Sequence, residues 1–306
     1  MKKLILLIAV LIGASQISFA QIEPSKEMME FYTPKWEGER DESGRPIVPD
    51  ELLDRLLNLS IEEAWGVIRN EGYHNQFDGG WTTINDEPFV GRALTVQYSP
   101  NRPEIKEQIE ALGKEEGRIG ASNSWPIDML KERDVYVADG FGKVINGTLI
   151  GDNLGNSIYA KSKTGVVFDA GARDLEGLSK IEGFNAFTRG FDPSFIMEMT
   201  VTGINVPIRI GRAAVLPGDV VLAKREGVIF IPPHLVQKVV ITGEFIGLRD
   251  KFGHQRLREG VYTPGQIDGK WSDEIKKDFL AWLDENEDSL PMSREELDEY
   301  MKNRTW

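Results

Sequence analysis

Between residues 134 and 181 the spacing of apolar side chains changes its period from one stretch to the next, and this constrains the fold more than any other feature. Val135, Tyr136, Val137 and Ala138 form a short continuous apolar run within Asp134–Asp139, too short for a helix and suited to a buried strand. Gly151 to Ser162 carries helical spacing. Gly165 to Ala170 (Gly-Val-Val-Phe-Asp-Ala) is a second apolar strand, and Leu175 to Ile181 reads as helical again. Strand, helix, strand and helix in this order predict an α/β layer whose strands lie side by side.

The flanking segments are less regular. Residues 21–50 are polar and dotted with Pro24, Pro34, Pro46 and Pro49, which predicts an extended arm. Glu51 to Arg69 has helical periodicity interrupted at Ser60, an N-cap before Glu62 and Glu63, so two helices are expected. Gly91 to Tyr98 reads as a strand. Val206–Ile210, Val220–Ala223 and Val228–Ile231 read as short strands separated by turns such as Pro217-Gly218-Asp219. A helix is expected over His234–Leu248, and an acidic amphipathic one over Asp273–Asn286.

The amino terminus predicts export. Lys2 and Lys3 precede an apolar run from Leu4 to Ile12, and Ser18-Phe19-Ala20 ends in a small residue, so residues 1–20 read as a signal peptide cleaved after Ala20. The apolar stretch falls short of the roughly 20 residues that span a bilayer, which argues against a membrane anchor. No cysteine follows it to carry a lipid. A periplasmic or secreted location is therefore expected. Because the leader holds two lysines and no acid, its removal takes the formal charge from −13 to −15. Such a surface repels phosphate backbones, so nucleic acid is not an expected partner. The chain has no cysteine, which excludes disulfides, thiol nucleophiles and thiolate metal sites. Its three histidines, His74, His234 and His254, lack metalloprotease spacing.

The sharpest local pattern is Gly151-Asp152-Asn153-Leu154 followed by Gly171-Ala172-Arg173-Asp174. Arg-Asp also occurs at 40–41, 133–134 and 249–250, but only the pair at 173–174 has an aspartate 21 positions before its arginine. Gly151-Asp152 opens a helix whose free N–H groups, at Asn153 and Leu154, suit an anion. Arg173 and Asp174 leave the carboxyl end of the next strand, the edge where open α/β sheets bind ligands. Asp174 is a hard oxygen donor suited to Mg²⁺ or Mn²⁺. Arg173 offers a planar fork for a carboxylate or an enolate. Asp152 lies where it can orient or deprotonate a water. The same residues also suit a plain helix cap and an exposed ion pair. Spacing alone leaves both readings open.

Gly151-Asp152-Asn153-Leu154 and Gly165-Val166-Val167-Phe168-Asp169-Ala170-Gly171-Ala172-Arg173-Asp174 resemble the family of the regulator of ribonuclease activity A and the class II 4-hydroxy-4-methyl-2-oxoglutarate aldolases. Gly203-Ile204-Asn205-Val206-Pro207, Pro217-Gly218-Asp219-Val220-Val221 and Glu226-Gly227-Val228-Ile229-Phe230-Ile231-Pro232 continue the pattern in order. The resemblance implies a swivelling α/β/β/α domain over residues 59–240, between an arm at 21–58 and a helical extension at 241–306. It implies trimers or hexamers with active sites between subunits. In the aldolases an aspartate, twenty intervening residues and Arg-Asp bind metal and pyruvate enolate. The match makes Asp152 and Arg173 catalytic and Asp174 the metal ligand, with Arg173 and the backbone of Gly151, Asn153 and Leu154 holding substrate. Regulators of the family tend to lack the final aspartate, which this chain keeps.

The expected activity is thus a divalent-metal-dependent lyase acting on a small acidic substrate. One substrate class is a 2-oxo acid, cleaved as by an aldolase or decarboxylase. Export favours the other, a uronic-acid-containing oligosaccharide eliminated as by a dehydratase. A non-catalytic regulator or a carbohydrate-binding accessory protein is the alternative, and Trp81 and Trp125, in glycine- and proline-flanked loops, are candidates for stacking on sugar.

Overall fold

Alternate residues of the central strands enter different cores, and the whole architecture follows from that period of two. The structure, a computed structural model, describes residues 22–302, so the leader read over residues 1–20 lies outside the described residues. Three helices come first, α1 (Lys26–Tyr32), α2 (Asp50–Leu57) and α3 (Ile61–Asn70), then strands β1 (Phe77–Asp78), β2 (Thr82–Thr83) and β3 (Phe89–Pro100). Helices α4 (Pro103–Glu115) and α5 (Trp125–Met129) lead to β4 (Asp134–Thr148), α6 (Asp152–Ser162), β5 (Val166–Ala172) and α7 (Leu175–Leu178). Seven short strands follow: β6 (Ala186–Thr188), β7 (Gly190–Phe191), β8 (Met199–Ile204), β9 (Ile208–Ile210), β10 (Ala213–Val215), β11 (Val220–Lys224) and β12 (Gly227–Ile231). The chain closes with α8 (Val236–Arg258), α9 (Pro264–Asp268), α10 (Asp273–Glu285) and α11 (Arg294–Lys302).

The main sheet is mixed, in the order β1-β12-β11-β3-β4-β5-β6-β2, with β7 beside β5 and β8 beside β3. Strands β3, β4, β5 and β6 run parallel, as the central alternation predicts. Strands β11 and β12 add antiparallel to β3, so the β-rich second half completes the same sheet. On one face Ala93, Val135, Val137, Val167, Val221 and Phe230 pack under the β9–β10 hairpin. The opposite face divides. Leu94, Val96, Tyr136, Phe168 and Ala170 pack toward the α6–α7 side, and Val90, Val220, Leu222, Ile229 and Ile231 pack under α2, α3 and α8. Burying alternate faces fixes the register, because a one-residue slip would exchange the two cores.

Helices α2 and α3 fall where the sequence places them. Ser60 caps α3, its hydroxyl accepting from the Glu63 N–H at 3.1 Å while the Glu63 carboxylate accepts from the Ser60 N–H at 2.7 Å. The arm differs from expectation. Residues 22–48 contain α1 and are packed rather than free: Met29 and Val48 are fully buried, and the Arg45 guanidinium donates to Asp134 Oδ2 at 2.9 Å inside the protein. The polar residues there satisfy the domain's own buried groups, which composition alone does not reveal. At the other end the expected boundary at 240 falls inside the 23-residue α8, whose Phe245, Leu248 and Phe252 form a separate aromatic core with Trp271, Phe279 and Trp282. Among the described residues no helix is long and apolar enough to cross a membrane.

The turn into β11 holds Asp219, which is buried and accepts from the Leu216 N–H at 2.8 Å. Burial pushes its carboxyl up to about 8. The folded chain therefore keeps a proton that the unfolded chain releases near pH 4, and stability falls as pH rises from about 4 to 8. Between pH 5 and 8.5, urea unfolding of the parent is expected to lose on the order of 1–3 kcal/mol relative to Asp219→Asn. Parallel curves for the two chains would refute this.

Candidate functional site

The end of β5 is tied to the turn that opens α6. The Leu149 N–H donates to Gly171 O and the Arg173 N–H to Ile150 O, each at 2.9 Å. Beneath the turn, the buried Asn123 amide donates to Leu149 O at 2.6 Å. Gly151 is buried, and a Cβ there would overlap the Asp174 carboxylate and lie 3.3 Å from Arg173 Nε. Glycine at 151 thus leaves the space into which the side chains of the next strand reach.

Asp174 adopts φ +57°, ψ +43°, a left-handed conformation that aspartate tolerates better than most residues. Its carboxylate stands 3.8 Å from Arg173 Nε, both side chains remaining about two-fifths exposed. Asp152 occupies the first turn of α6. Its Oδ1 accepts from the Asn153 N–H at 2.8 Å, so one of the backbone donors expected to receive a substrate anion already holds the protein's own carboxylate. The first intrahelical bond runs from the Gly155 N–H to Gly151 O at 2.9 Å, and the Leu154 N–H precedes it. From α7, Gly177 faces Asp152, and a Cβ there would come within 2.6 Å of its Oδ2.

The structure therefore gathers Gly151, Asp152, Asn153, Leu154, Arg173 and Asp174 at one edge of the sheet. Sequence reasoning missed Asn123, which lies in a segment given no structure, and Gly177, a single glycine within the stretch read as helical. The expectation for Trp125 is corrected, because its ring is buried against Gly113. Trp81 is partly exposed, with the Arg189 guanidinium 3.8 Å from its ring centroid.

Metal fit follows from the donor set. Among the described residues no three His, Asp or Glu groups converge on a common point. A site that encloses zinc entirely with protein ligands is incompatible with that arrangement. One half-exposed carboxylate at Asp174 suits a hard cation such as Mg²⁺ or Mn²⁺, which keeps several waters and takes the rest of its shell from substrate oxygens.

The model of the RraA-like family (Aldolase/RraA) matches residues 51–230, more than half of the chain, and the protein belongs to that family. It is 26% identical over 150 residues to a protein of Alcanivorax borkumensis named "Putative 4-hydroxy-4-methyl-2-oxoglutarate aldolase", covering 49% of this chain and 81% of that one. An uncharacterized protein of Methanocaldococcus jannaschii is 24% identical over 215 residues, 67% of this chain and 94% of its own. The crystal structure of Streptomyces coelicolor RraAS2, described as an unusual member of the RNase ES inhibitor RraA protein family, superposes with a TM-score of 0.59 at 22% identity, over 69% of this chain and 100% of that one. That likeness shows the mixed α/β fold. The family thus spans proteins named as aldolases and proteins named as ribonuclease inhibitors.

Proposed function

We propose that this protein is an exported, divalent-metal-dependent lyase that stabilises an enolate-type intermediate. Its substrate is either a 2-oxo acid, cleaved as by an aldolase or decarboxylase, or a uronic-acid-containing carbohydrate fragment, dehydrated by elimination. The observation that carries this reading is the convergence of Arg173 and Asp174 on Gly151, whose missing side chain leaves room for the Asp174 carboxylate, with Asp152 next to it at the start of α6.

Asp174 would hold Mg²⁺ or Mn²⁺, and the ion would supply a Lewis acid that lowers the energy of negative charge next to a carbonyl or carboxylate. The Arg173 guanidinium binds the substrate's carboxylate and faces the oxygen on which charge develops. The Leu154 N–H and the backbone at Gly151 orient that carboxylate at the helix start. Asp152, anchored through Oδ1, keeps Oδ2 to accept the proton released at bond cleavage and to return it to carbon or to the leaving oxygen.

Arg173 and Asp174 are about two-fifths exposed within one chain, and Leu175 beside them is 45% exposed. A homo-oligomer, trimer or hexamer, would cover this edge and exclude water from it. The same openness favours a second reading, in which the edge binds a partner without turnover, as in a regulator. Incubating the protein with a panel of 2-oxo acids and uronide oligosaccharides, under Mg²⁺, Mn²⁺ or chelator, separates the two. Product formation that chelator abolishes and added metal restores is the expected result. Turnover indifferent to chelator, or none on any member of the panel, would overturn the proposal.

A further inference from the structure

A cavity of about 290 Å³, lined by none of the residues gathered around Gly151, lies between the arm and the β11–β12 half of the sheet. The arm supplies Tyr32, Lys35 and Trp36, and the domain supplies Tyr73, Asp219 and His234. Residues 32–36 precede the segment matched by the family, so the cavity depends on a part of the chain outside that segment. Its walls are mainly apolar and aromatic. Asp219 contributes to the lining while only 2% exposed, and its Oδ1 has no hydrogen-bond partner among the described residues. An orphaned buried oxygen of this kind is destabilising until something pairs with it.

We infer that this cavity is a binding site for a small, neutral, hydroxylated ring, stacked on the arm's aromatic side chains and hydrogen-bonded to Asp219. Apolar and aromatic walls suit the face of a six-membered ring. A volume of about 300 Å³ lies at the small end of ligand sites and matches one ring rather than a chain of them. Polar groups stand where ring hydroxyls need them. The Tyr73 hydroxyl lies 3.4 Å from His234 Nε2, and both face the cavity with Asp219. Burial and the neighbouring Lys35 depress the His234 pKa, and burial raises that of Asp219. Both groups are then uncharged near neutrality, and each can exchange a hydrogen bond with a ring hydroxyl. A pyranose and a simple phenol share this chemistry.

Calorimetric titration of the full chain, with methyl β-glucoside in one arm and phenol in the other, tests the inference. Saturable 1:1 binding of either ring is expected, and the arm that binds identifies the source. Ala214 lines the cavity from an exposed strand position, so Ala214→Leu should fill the space without disturbing a core and weaken binding at least tenfold. Asp174→Asn should leave binding within twofold of the parent. Absence of saturable heat with both rings, binding undiminished in Ala214→Leu, or binding lost in Asp174→Asn would each overturn it.

Discussion

Asp174→Asn is expected to lower kcat/KM on the best substrate of the panel by about 10³-fold or more, since one oriented charge-stabilising group alone contributes about 10²–10³. Asparagine is a better test than alanine because of the backbone. At φ +57° a side chain without a local hydrogen-bonding group costs roughly 1–2 kcal/mol, whereas asparagine tolerates the left-handed region as aspartate does. Asp174→Asn should therefore keep the parent's unfolding midpoint and oligomeric state while losing metal-dependent turnover. Gly151→Ala is the geometric companion. Its Cβ would displace the same carboxylate with the charge still present, and activity should fall in the same direction. An Asp174→Asn enzyme within threefold of the parent would remove the carboxylate from any part in the reaction.

The parts of this site that were legible in the sequence are those set by short-range rules. A glycine before an aspartate at a helix start, and an arginine leaving an apolar strand, are local patterns, and one strand–helix–strand step brings them together. The handedness of Asp174 is not legible, because aspartate occupies both right- and left-handed regions and its φ of +57° is set in the folded turn beside the tie from the Arg173 N–H to Ile150 O. The continuous apolar run predicts a strand that ends at Asp139, before Gly140-Phe141-Gly142. The chain does turn there, with positive φ at Phe141 and Gly142, but it re-enters the sheet and pairs Lys143 and Thr148 with β5. Helix α4 was missed because it buries little besides Gly113 and partly Ile109 and Leu112, leaving a weak apolar stripe. The order of strands across the sheet, with β11 and β12 beside β3, depends on long-range pairing that no local period encodes.

Replacing Arg45 with alanine is expected to destabilise the protein by about 3–5 kcal/mol, the usual cost of stranding one member of a buried ion pair. Arg45 is 4% exposed and Asp134 1%. The guanidinium also reaches Asp41 Oδ2 at 3.4 Å and the Ala93 carbonyl at 3.4 Å, so one side chain from the arm satisfies groups at the start of both β3 and β4. A second arm contact works in the opposite direction, with Arg92 from β3 donating to Val48 O at 2.8 Å and to Asp50. Losing the arm's hold would therefore loosen the central parallel strands and also open the cavity that Tyr32 and Trp36 close. Two consequences separate this from a general core defect. Asp134→Asn in the Arg45→Ala background should recover part of the loss, because the stranded charge is removed. A ring that binds the cavity should raise the unfolding midpoint of the parent more than that of Arg45→Ala, since only a docked arm completes the site. A loss below about 1 kcal/mol in urea unfolding, the range of an exposed pair, would mean that the arm rests on the domain without bracing it.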